Sequence, residues 1–471
     1  MTTMVSGGDV DLFLSGGEVP AINVLVVGGG VTGFGTARFL AGISKGGARI
    51  TLSDAGDLPG KEEELRELEE FGVSLELGGH REETFVESDL IIVSPGVPLY
   101  IDEIARAMEK GVRIMGELEL AFRFIEAPIL AVTGTNGKTT TTALLGDILI
   151  NSGIKAIVGG NIGDPLVNLI KKSKEADYVV AEVSSFQLEA IESFRPHVGA
   201  LLNISQDHLD RYPGYEEYIE AKMKLFMNQS DTDCAVLNGD DPIVLDMAED
   251  IAGKKIFFSR EREIPGGVYL KGEKIVCEAG DRPYTYDPTK YFLTGVHNIE
   301  NIMAALGSAA AVGAGGERAD EAMARFRPAS HRLEHVLTFE GVSFYDDSKA
   351  TNVGAALKSI ESFGGNIHLI MGGVDKGGSY APLIPAVVER VKALYLIGDA
   401  REKIKEELGG IVPTMTADGM EGAVSLIGER IEPGDVVLLA PACSSFDMYD
   451  SYKQRGEDFK RIVKKHFGRE G

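Results

Sequence analysis

The chain has 471 residues, 44% hydrophobic and 25% charged, with 47 Lys plus Arg against 72 Asp plus Glu and a formal charge of −25. At about 150 residues per domain the length suggests about three domains, and so acidic a surface argues against a nucleic-acid backbone or an anionic membrane as the main partner. Three distant cysteines, Cys234, Cys277 and Cys443, exclude a disulfide framework and fit a reducing cytoplasm. No apolar run reaches the length of a membrane helix. The first basic residue is Arg38, so the N-terminus lacks the charged start of a signal peptide.

Residues 1–20 are glycine-rich and acidic and are expected to form a loose extension. A strand is predicted over 22–27, running into Gly28-Gly29-Gly30-Val31-Thr32-Gly33 and then a helix. A second strand over 48–53 ends at Asp54, a charged helix covers 61–71, and a strand over 89–94 is stopped by Pro95-Gly96. A second unit starts near Pro128. Its strands are predicted over 129–132, 177–181, 199–204 and 234–237, and each delivers polar residues at its C-terminal end. A third unit begins near Phe326-Arg327-Pro328, with strands over 342–345, 367–371, 393–397 and 436–439 and a basic helix near 459–465. Alternation of strand and helix argues for parallel α/β sheets, whose ligands bind at the C-terminal strand edge. There are no internal repeats, and the whole reads as three α/β units in series.

The glycine cluster at 28–33, with Asp54 about 20 residues on, has the form of a dinucleotide fingerprint: the backbone can approach a pyrophosphate at a helix N-terminus. The motif does not separate NAD from another diphosphate. Gly134 to Thr140 is a glycine loop between strand and helix that ends in Gly137-Lys138-Thr139. Its N–H groups can cradle a triphosphate, Lys138 can reach the β/γ oxygens and Thr139 can hold Mg²⁺. It is a shortened P-loop, because Val132 stands where the usual spacing has a glycine. Glu182 and His208 follow neighbouring strands and suit Mg²⁺ or water positioning. Lys222, in Glu220-Ala221-Lys222, reads from periodicity alone as a solvated helix face. In the third unit Ser330-His331-Arg332, Asp346-Asp347-Ser348-Lys349-Ala350-Thr351-Asn352 and Gly372-Gly373-Val374-Asp375-Lys376-Gly377 mix cations with small polar residues. Such loops suit phosphates and carboxylates.

Together these motifs resemble the Mur ligase family over nearly the whole chain beyond residue 20. Further words that carry the resemblance are Gly160-Asn161-Ile162-Gly163, Glu182-Val183-Ser184-Ser185-Phe186-Gln187-Leu188 and Asp207-His208-Leu209-Asp210-Arg211-Tyr212. Pro441-Ala442-Cys443-Ser444-Ser445-Phe446-Asp447 and Gln454-Arg455-Gly456 complete them. The Ser-Ser-Phe-Gln and Pro-Ala-Cys-x-Ser words look like the D-glutamate-adding branch.

The resemblance implies three domains: 1–126, Rossmann-like, for a UDP-substrate; 127–327, with the P-loop, for ATP; 328–471, Rossmann-like, for the amino acid. It reassigns the first glycine cluster from NAD to UDP, with Val31, Thr32, Gly33, Asp54, Gly96 and Asn161 at the UDP-substrate. It assigns Thr133, Gly134, Thr135, Asn136, Gly137, Lys138 and Thr139 to the ATP phosphates. His297, Asn298 and Asn301 go to the adenine side, and Arg332 and Asp347 to the phosphates and ribose. Two Mg²⁺ ions would be held by Thr139, Glu182, His208 and a carbamylated Lys222, and Lys138, Glu182, His208 and Lys222 would be catalytic. Thr351, Lys376, Ser445 and Phe446 would line a D-glutamate pocket. The expected activity is ATP-dependent joining of D-glutamate to UDP-N-acetylmuramoyl-L-alanine through an acyl phosphate, in cytoplasmic peptidoglycan precursor synthesis, by a monomer. The competing readings are a sibling Mur or folylpolyglutamate-type ligase, an NAD-dependent oxidoreductase, and a nucleotide-binding regulator without chemistry.

Overall fold

The computed structural model describes residues 7–15, 17, 22–44, 47–208, 211–293, 295–327 and 330–468. Three sheets follow one another along the chain. The first is built from β1 (Ile22–Val27), β2 (Ala48–Ser53), β3 (Ser74–Glu76), β4 (Leu90–Val93) and β5 (Arg113–Gly116), in the order β3-β2-β1-β4-β5. All its pairings are parallel. β4 and, beyond Asn23, β1 read as aliphatic runs because helices cover both faces of a parallel sheet.

The second sheet takes β6 (Ile129–Thr133), β7 (Ala156–Gly160), β8 (Tyr178–Glu182), β9 (Val198–Leu201), β10 (Cys234–Asn238), β11 (Lys254–Ser259), β12 (Val268–Lys271), β13 (Lys274–Cys277) and β14 (Tyr284–Tyr286). Their order is β14-β13-β12-β11-β10-β9-β6-β8-β7, parallel except for the β12-β13-β14 meander. β6 sits between β8 and β9, so their three C-terminal ends open side by side. The third sheet has β15 (Glu334–Phe339), β16 (Val342–Asp346), β17 (Ile367–Gly372), β18 (Val391–Ile397), β19 (Thr414–Thr416) and β20 (Val436–Leu439), ordered β15-β16-β20-β17-β18-β19. Only the β15-β16 hairpin is antiparallel.

The linking helix Glu117–Phe124 ties the first sheet to the second unit with two buried carboxylates. Glu117 accepts the Val167 N–H at 2.7 Å. Glu119 accepts the N–H groups of Glu192, Ser193 and Phe194 at 2.9, 3.0 and 2.9 Å.

Three expectations change. Residues 1–20 are not wholly a loose extension: Gly7–Leu14 is a helix. Val10, Phe13 and Leu14 stand at i, i+3 and i+4, so one face carries all three, and they enter the first core. The strand expected over 199–204 ends at Leu201, and the chain from 202 leaves the sheet. The basic helix near 459–465 is the middle of a longer one, Tyr452–Phe467, capped by Ser451. Pro328, Leu209 and Asp210, named in the sequence reading, lie outside the described residues. Among the described residues no helix is long and apolar enough to cross a membrane, and all three cysteines are buried free thiols.

Phe13 is 1% exposed. Phe13→Ala should destabilise the first unit by about 3–5 kcal/mol, read as an earlier first transition in urea unfolding followed by circular dichroism.

Candidate functional site

The phosphate loop leaves β6 and enters the helix Lys138–Asn151. Gly137 has φ +87°, and a Cβ there would lie 2.1 Å from Asn301 Oδ1. Only glycine fits, and the helix Val296–Ala310 that carries Asn301 seats the loop from behind. Lys138 Nζ curls back to donate to the carbonyls of Gly134 and Thr135 at 2.8 and 2.9 Å. Burial holds its ammonium below the ordinary lysine range, against the pull of Glu182 and Asp207.

Lys222 corrects the periodicity reading. It lies on the helix Tyr215–Met223 but is 1% exposed, not solvated. Its Nζ donates to Gly134 O at 3.0 Å and stands 4.6 Å over the Tyr218 ring. Burial first, and the charge of Lys138 second, push its amine well below the ordinary range. Two amines thus converge on one carbonyl oxygen.

Glu182 ends β8 at 2% exposure. Its Oε1 accepts from Asn161 Nδ2 at 2.7 Å, while its Oε2 is buried without a hydrogen-bond partner. An orphaned buried carboxylate oxygen beside a phosphate loop asks for a cation. The Thr139 hydroxyl and the Glu182 carboxylate on this cavity, with His208 beside them, offer oxygen donors that fit Mg²⁺, which binds through few protein ligands and substrate phosphates. His208 holds a left-handed φ of +56°, and its ring meets Phe186 edge-on at 4.7 Å.

The third unit faces this loop. Asp347 follows β16, is buried, and accepts a hydrogen bond from Ser359 Oγ. Burial pushes its carboxyl up to about 6, against Ser359 and Arg332. Lys349, over the Tyr452 ring at 4.2 Å, is lowered to about 8 by burial and then by Arg332 and Lys138. His297 is lowered to about 4 by burial and the nearby Arg332 and Lys358 charges. Lys376 Nζ pairs with Asp207 Oδ1 at 3.0 Å. Ser445 is buried, and Phe446 stands 74% exposed.

One cavity of about 930 Å³ gathers most of the expected residues. Thr135, Asn136, Gly137, Lys138, Thr139, Asn161, Glu182, His208, His297, Asn298, Asn301, Arg332, Asp347, Thr351, Lys376, Ser445 and Phe446 all line it. Thr133, Gly134 and Lys222 are not among its lining residues. Val31, Thr32, Gly33, Asp54 and Gly96 do not line it either; they follow the C-terminal ends of β1, β2 and β4 in the first unit. There Asp54 Oδ2 accepts the Gly29 N–H at 2.6 Å, and a Cβ on Gly33 would lie 1.7 Å from Gly28 O. Arg211, quoted in a motif but given no role, bridges the two places. It stacks on Phe186 at 3.9 Å and donates to the carbonyls of Pro95 and Val97 at 3.0 and 3.3 Å. Sequence reasoning gave no role to Asp207 or Asn352 either; both sit inside motif words, but only the fold shows that they meet.

Family models match in chain order: a Mur ligase MurD-like N-terminal domain over 22–116, a Mur ligase middle domain over 132–309, and a Mur ligase glutamate ligase domain over 331–443. The chain belongs to the Mur ligase family, a family of ATP-dependent ligases. Among its relatives is the UDP-N-acetylmuramoylalanine–D-glutamate ligase of Geotalea daltonii, 46% identical over 95% of this chain and 98% of its own. The enzyme of the same name from Pelobacter propionicus is 47% identical over 94% and 98%. Solved structures share the fold. A pseudomurein peptide ligase type C from Methanothermus fervidus has a TM-score of 0.61 at 18% identity, covering 94% of this chain and 100% of its own. A MurF ligase from Thermotoga maritima, solved with ADP, has a TM-score of 0.56 at 20% identity over 82% and 91%.

The raised carboxyl of Asp347 sets a sign for pH. The folded chain keeps a proton here up to about pH 6, whereas an unfolded aspartate loses it near 4. Stability from this group is therefore present below about pH 4 and lost as pH rises through about 6. Asp347→Asn should remove that slope and raise stability near pH 7 by up to about 3 kcal/mol, while lowering activity. Melting temperature measured against pH for both proteins checks it.

Proposed function

We propose that this chain joins D-glutamate to UDP-N-acetylmuramoyl-L-alanine at the expense of ATP, acting as a single chain in cytoplasmic peptidoglycan precursor synthesis. The observation that carries this reading is the shared cavity, where a phosphate loop and an orphaned Glu182 oxygen face Arg332, Lys349 and Lys376 of the third unit. The first domain, 1–126, holds the UDP part through Val31, Thr32, Gly33, Asp54 and Gly96. The second, 127–327, holds ATP, with Asn161 turned to the UDP-substrate. The third, 328–471, holds D-glutamate through Thr351, Lys376, Ser445 and Phe446.

A carboxylate is a poor electrophile at neutral pH. Phosphoryl transfer from ATP to the alanine carboxylate makes an acyl phosphate, which the D-glutamate amine attacks with loss of phosphate. Lys138 and Arg332 offset the negative charge that gathers on the phosphoryl oxygens. The loop N–H groups from Gly134 to Thr139 orient the triphosphate, and Asn298, Asn301, His297 and Asp347 fix the nucleoside. Because an acyl phosphate hydrolyses, the contact of the second and third units over the cavity also serves to exclude water. Two Mg²⁺ ions, held by Thr139, Glu182, His208 and Lys222, would neutralise phosphate charge. Lys222 fits this as a carbamate. Its amine is buried and disfavours a proton, so it can add to CO₂, losing a proton and gaining an anionic carboxylate-like group beside the Lys138 charge.

ADP and phosphate should form only when the UDP-muramoyl-alanine substrate and an amino acid are both present, with D-glutamate strongly preferred. Phosphate release against a panel of amino acids tests this. Equal or better turnover with L-alanine, L-lysine or meso-diaminopimelate would move the chain to a sibling specificity.

Lys222→Ala should lose most activity, and acetate or formate should restore part of it by supplying the missing carboxylate. A crystal structure grown with bicarbonate that showed a bare amine at Lys222 would reject the carbamate.

A further inference from the structure

The ammonium assigned above to a D-glutamate carboxylate already holds one. Lys376 Nζ lies 3.0 Å from Asp207 Oδ1. The other oxygen, Oδ2, accepts from Asn352 Nδ2 at 2.8 Å. Asp207 is 8% exposed and comes from the second unit, whereas Lys376 and Asn352 come from the third. Asn352 also caps the helix Val353–Glu361 and exchanges side-chain hydrogen bonds with Asn136 of the phosphate loop at 3.2 and 3.4 Å. The carboxylate subsite is thus closed by a carboxylate of the protein, at a seam that also reaches the phosphate loop.

We propose that Asp207 is an internal competitor for the D-glutamate subsite on Lys376, and that displacing it sets the affinity for the incoming amino acid. This rests on the reading that Lys376 binds D-glutamate. The cavity around Lys376 holds Lys138, Arg332 and Lys349, so an unpaired ammonium there would be costly, and Asp207 covers it until a substrate carboxylate arrives. Exchange of one carboxylate for another keeps Lys376 neutralised. The displaced Asp207 stays beside His208, whose Nε2 is already 3.6 Å from Oδ2. The carboxylate that makes this exchange is the side-chain one, which D-glutamine lacks, so D-glutamine must enter with the internal pair intact.

Asp207→Asn keeps the size of the side chain and an acceptor for Asn352 but removes the charge that competes. The D-glutamate KM should fall about tenfold, the worth of one hydrogen bond to a charged group at the low end of its range, while the KM values for ATP and the UDP-substrate stay within about twofold. The preference for D-glutamate over D-glutamine should rise, because Lys376 then lacks any other anion. In a Lys376→Ala background the Asp207→Asn change should no longer lower the D-glutamate KM. Asp207→Ser, with the melting temperature of each variant, guards against a folding defect, and calorimetric titration of D-glutamate onto the enzyme with a non-hydrolysable ATP analogue and the UDP-substrate gives the affinity directly. An unchanged or raised D-glutamate KM in Asp207→Asn would overturn the competition, as would a fall in kcat alone. If Lys376→Ala itself leaves the D-glutamate KM unaltered, the fault lies instead in the assignment of Lys376.

Discussion

Two amines share the carbonyl oxygen of Gly134. Lys138 reaches it from the phosphate loop and Lys222 from a helix some 80 positions further on, at 2.8 and 3.0 Å. Neither forms an ion pair among the described residues; burial lowers the proton affinity of both, and the charge of Lys138 lowers that of Lys222 further. Much of the surrounding architecture answers this crowding of positive charge. Glu182 stands nearby with one oxygen unpaired, and the third unit adds Arg332, Lys349 and Lys376 across the cavity. In a chain with net charge −25, the cavity sets these cations among carboxylates, including Glu182, Asp207, Asp347 and Asp375. Low-dielectric walls strengthen local fields, so the group of Lys138, Arg332 and Lys349 favours phosphate oxygens at the loop despite the sign of the whole molecule.

The two seams between units are built differently. The first is made of buried carboxylates gripping backbone N–H groups: Glu117 on Val167, and Glu119 on three successive residues from Glu192 to Phe194. Arg211 adds a reciprocal grip on the carbonyls of Pro95 and Val97. Parting these groups would strand buried charge, which is expensive. The second seam, at the cavity, rests on side-chain pairs among Asn136, Asn352, Asp207 and Lys376. Such pairs can be exchanged for substrate groups of the same kind without leaving orphans.

Much of this was legible in the sequence, for a physical reason. A parallel strand buried on both faces is an aliphatic run, and its C-terminal end must carry whatever chemistry the sheet performs. Reading runs and their polar ends found β1, β2, β6, β10 and β20 to within a residue or so, and found the glycine loops. Short edge strands escaped because they lack such runs: β3 is Ser-Leu-Glu, β14 Tyr-Thr-Tyr and β19 Thr-Met-Thr. Gly7–Leu14 escaped because its apolar face is only three residues wide. Lys222 could not be read from helical periodicity at all, since its partner Gly134 is 88 positions away; only the family resemblance pointed to it. Asp207 and Asn352 were visible as letters, but their meeting depends on how two units dock.

The cleft-facing loops of the third unit owe their shape to one side chain. Arg455 is fully buried and has no carboxylate partner among the described residues; burial lowers its guanidinium to about 10. It donates to Ser348 Oγ at 2.9 Å and to the carbonyls of Ser348, Cys443 and Ser444 at 2.9, 3.0 and 3.2 Å. Its planar fork suits several fixed acceptors at once, which a lysine could not match. Those carbonyls lie one to three residues from Thr351 and Ser445, and Gly373, pressed against Ser444 O where a Cβ would come within 2.0 Å, leads into Lys376. Its hydrogen bonds go to carbonyls and a hydroxyl, while the nearby charges of Asp447 and Asp346 act on it from a distance and partly offset burial. The fold thus uses one buried cation, bonded mainly to backbone carbonyls, to hold the loops that carry Thr351, Lys376 and Ser445 in register.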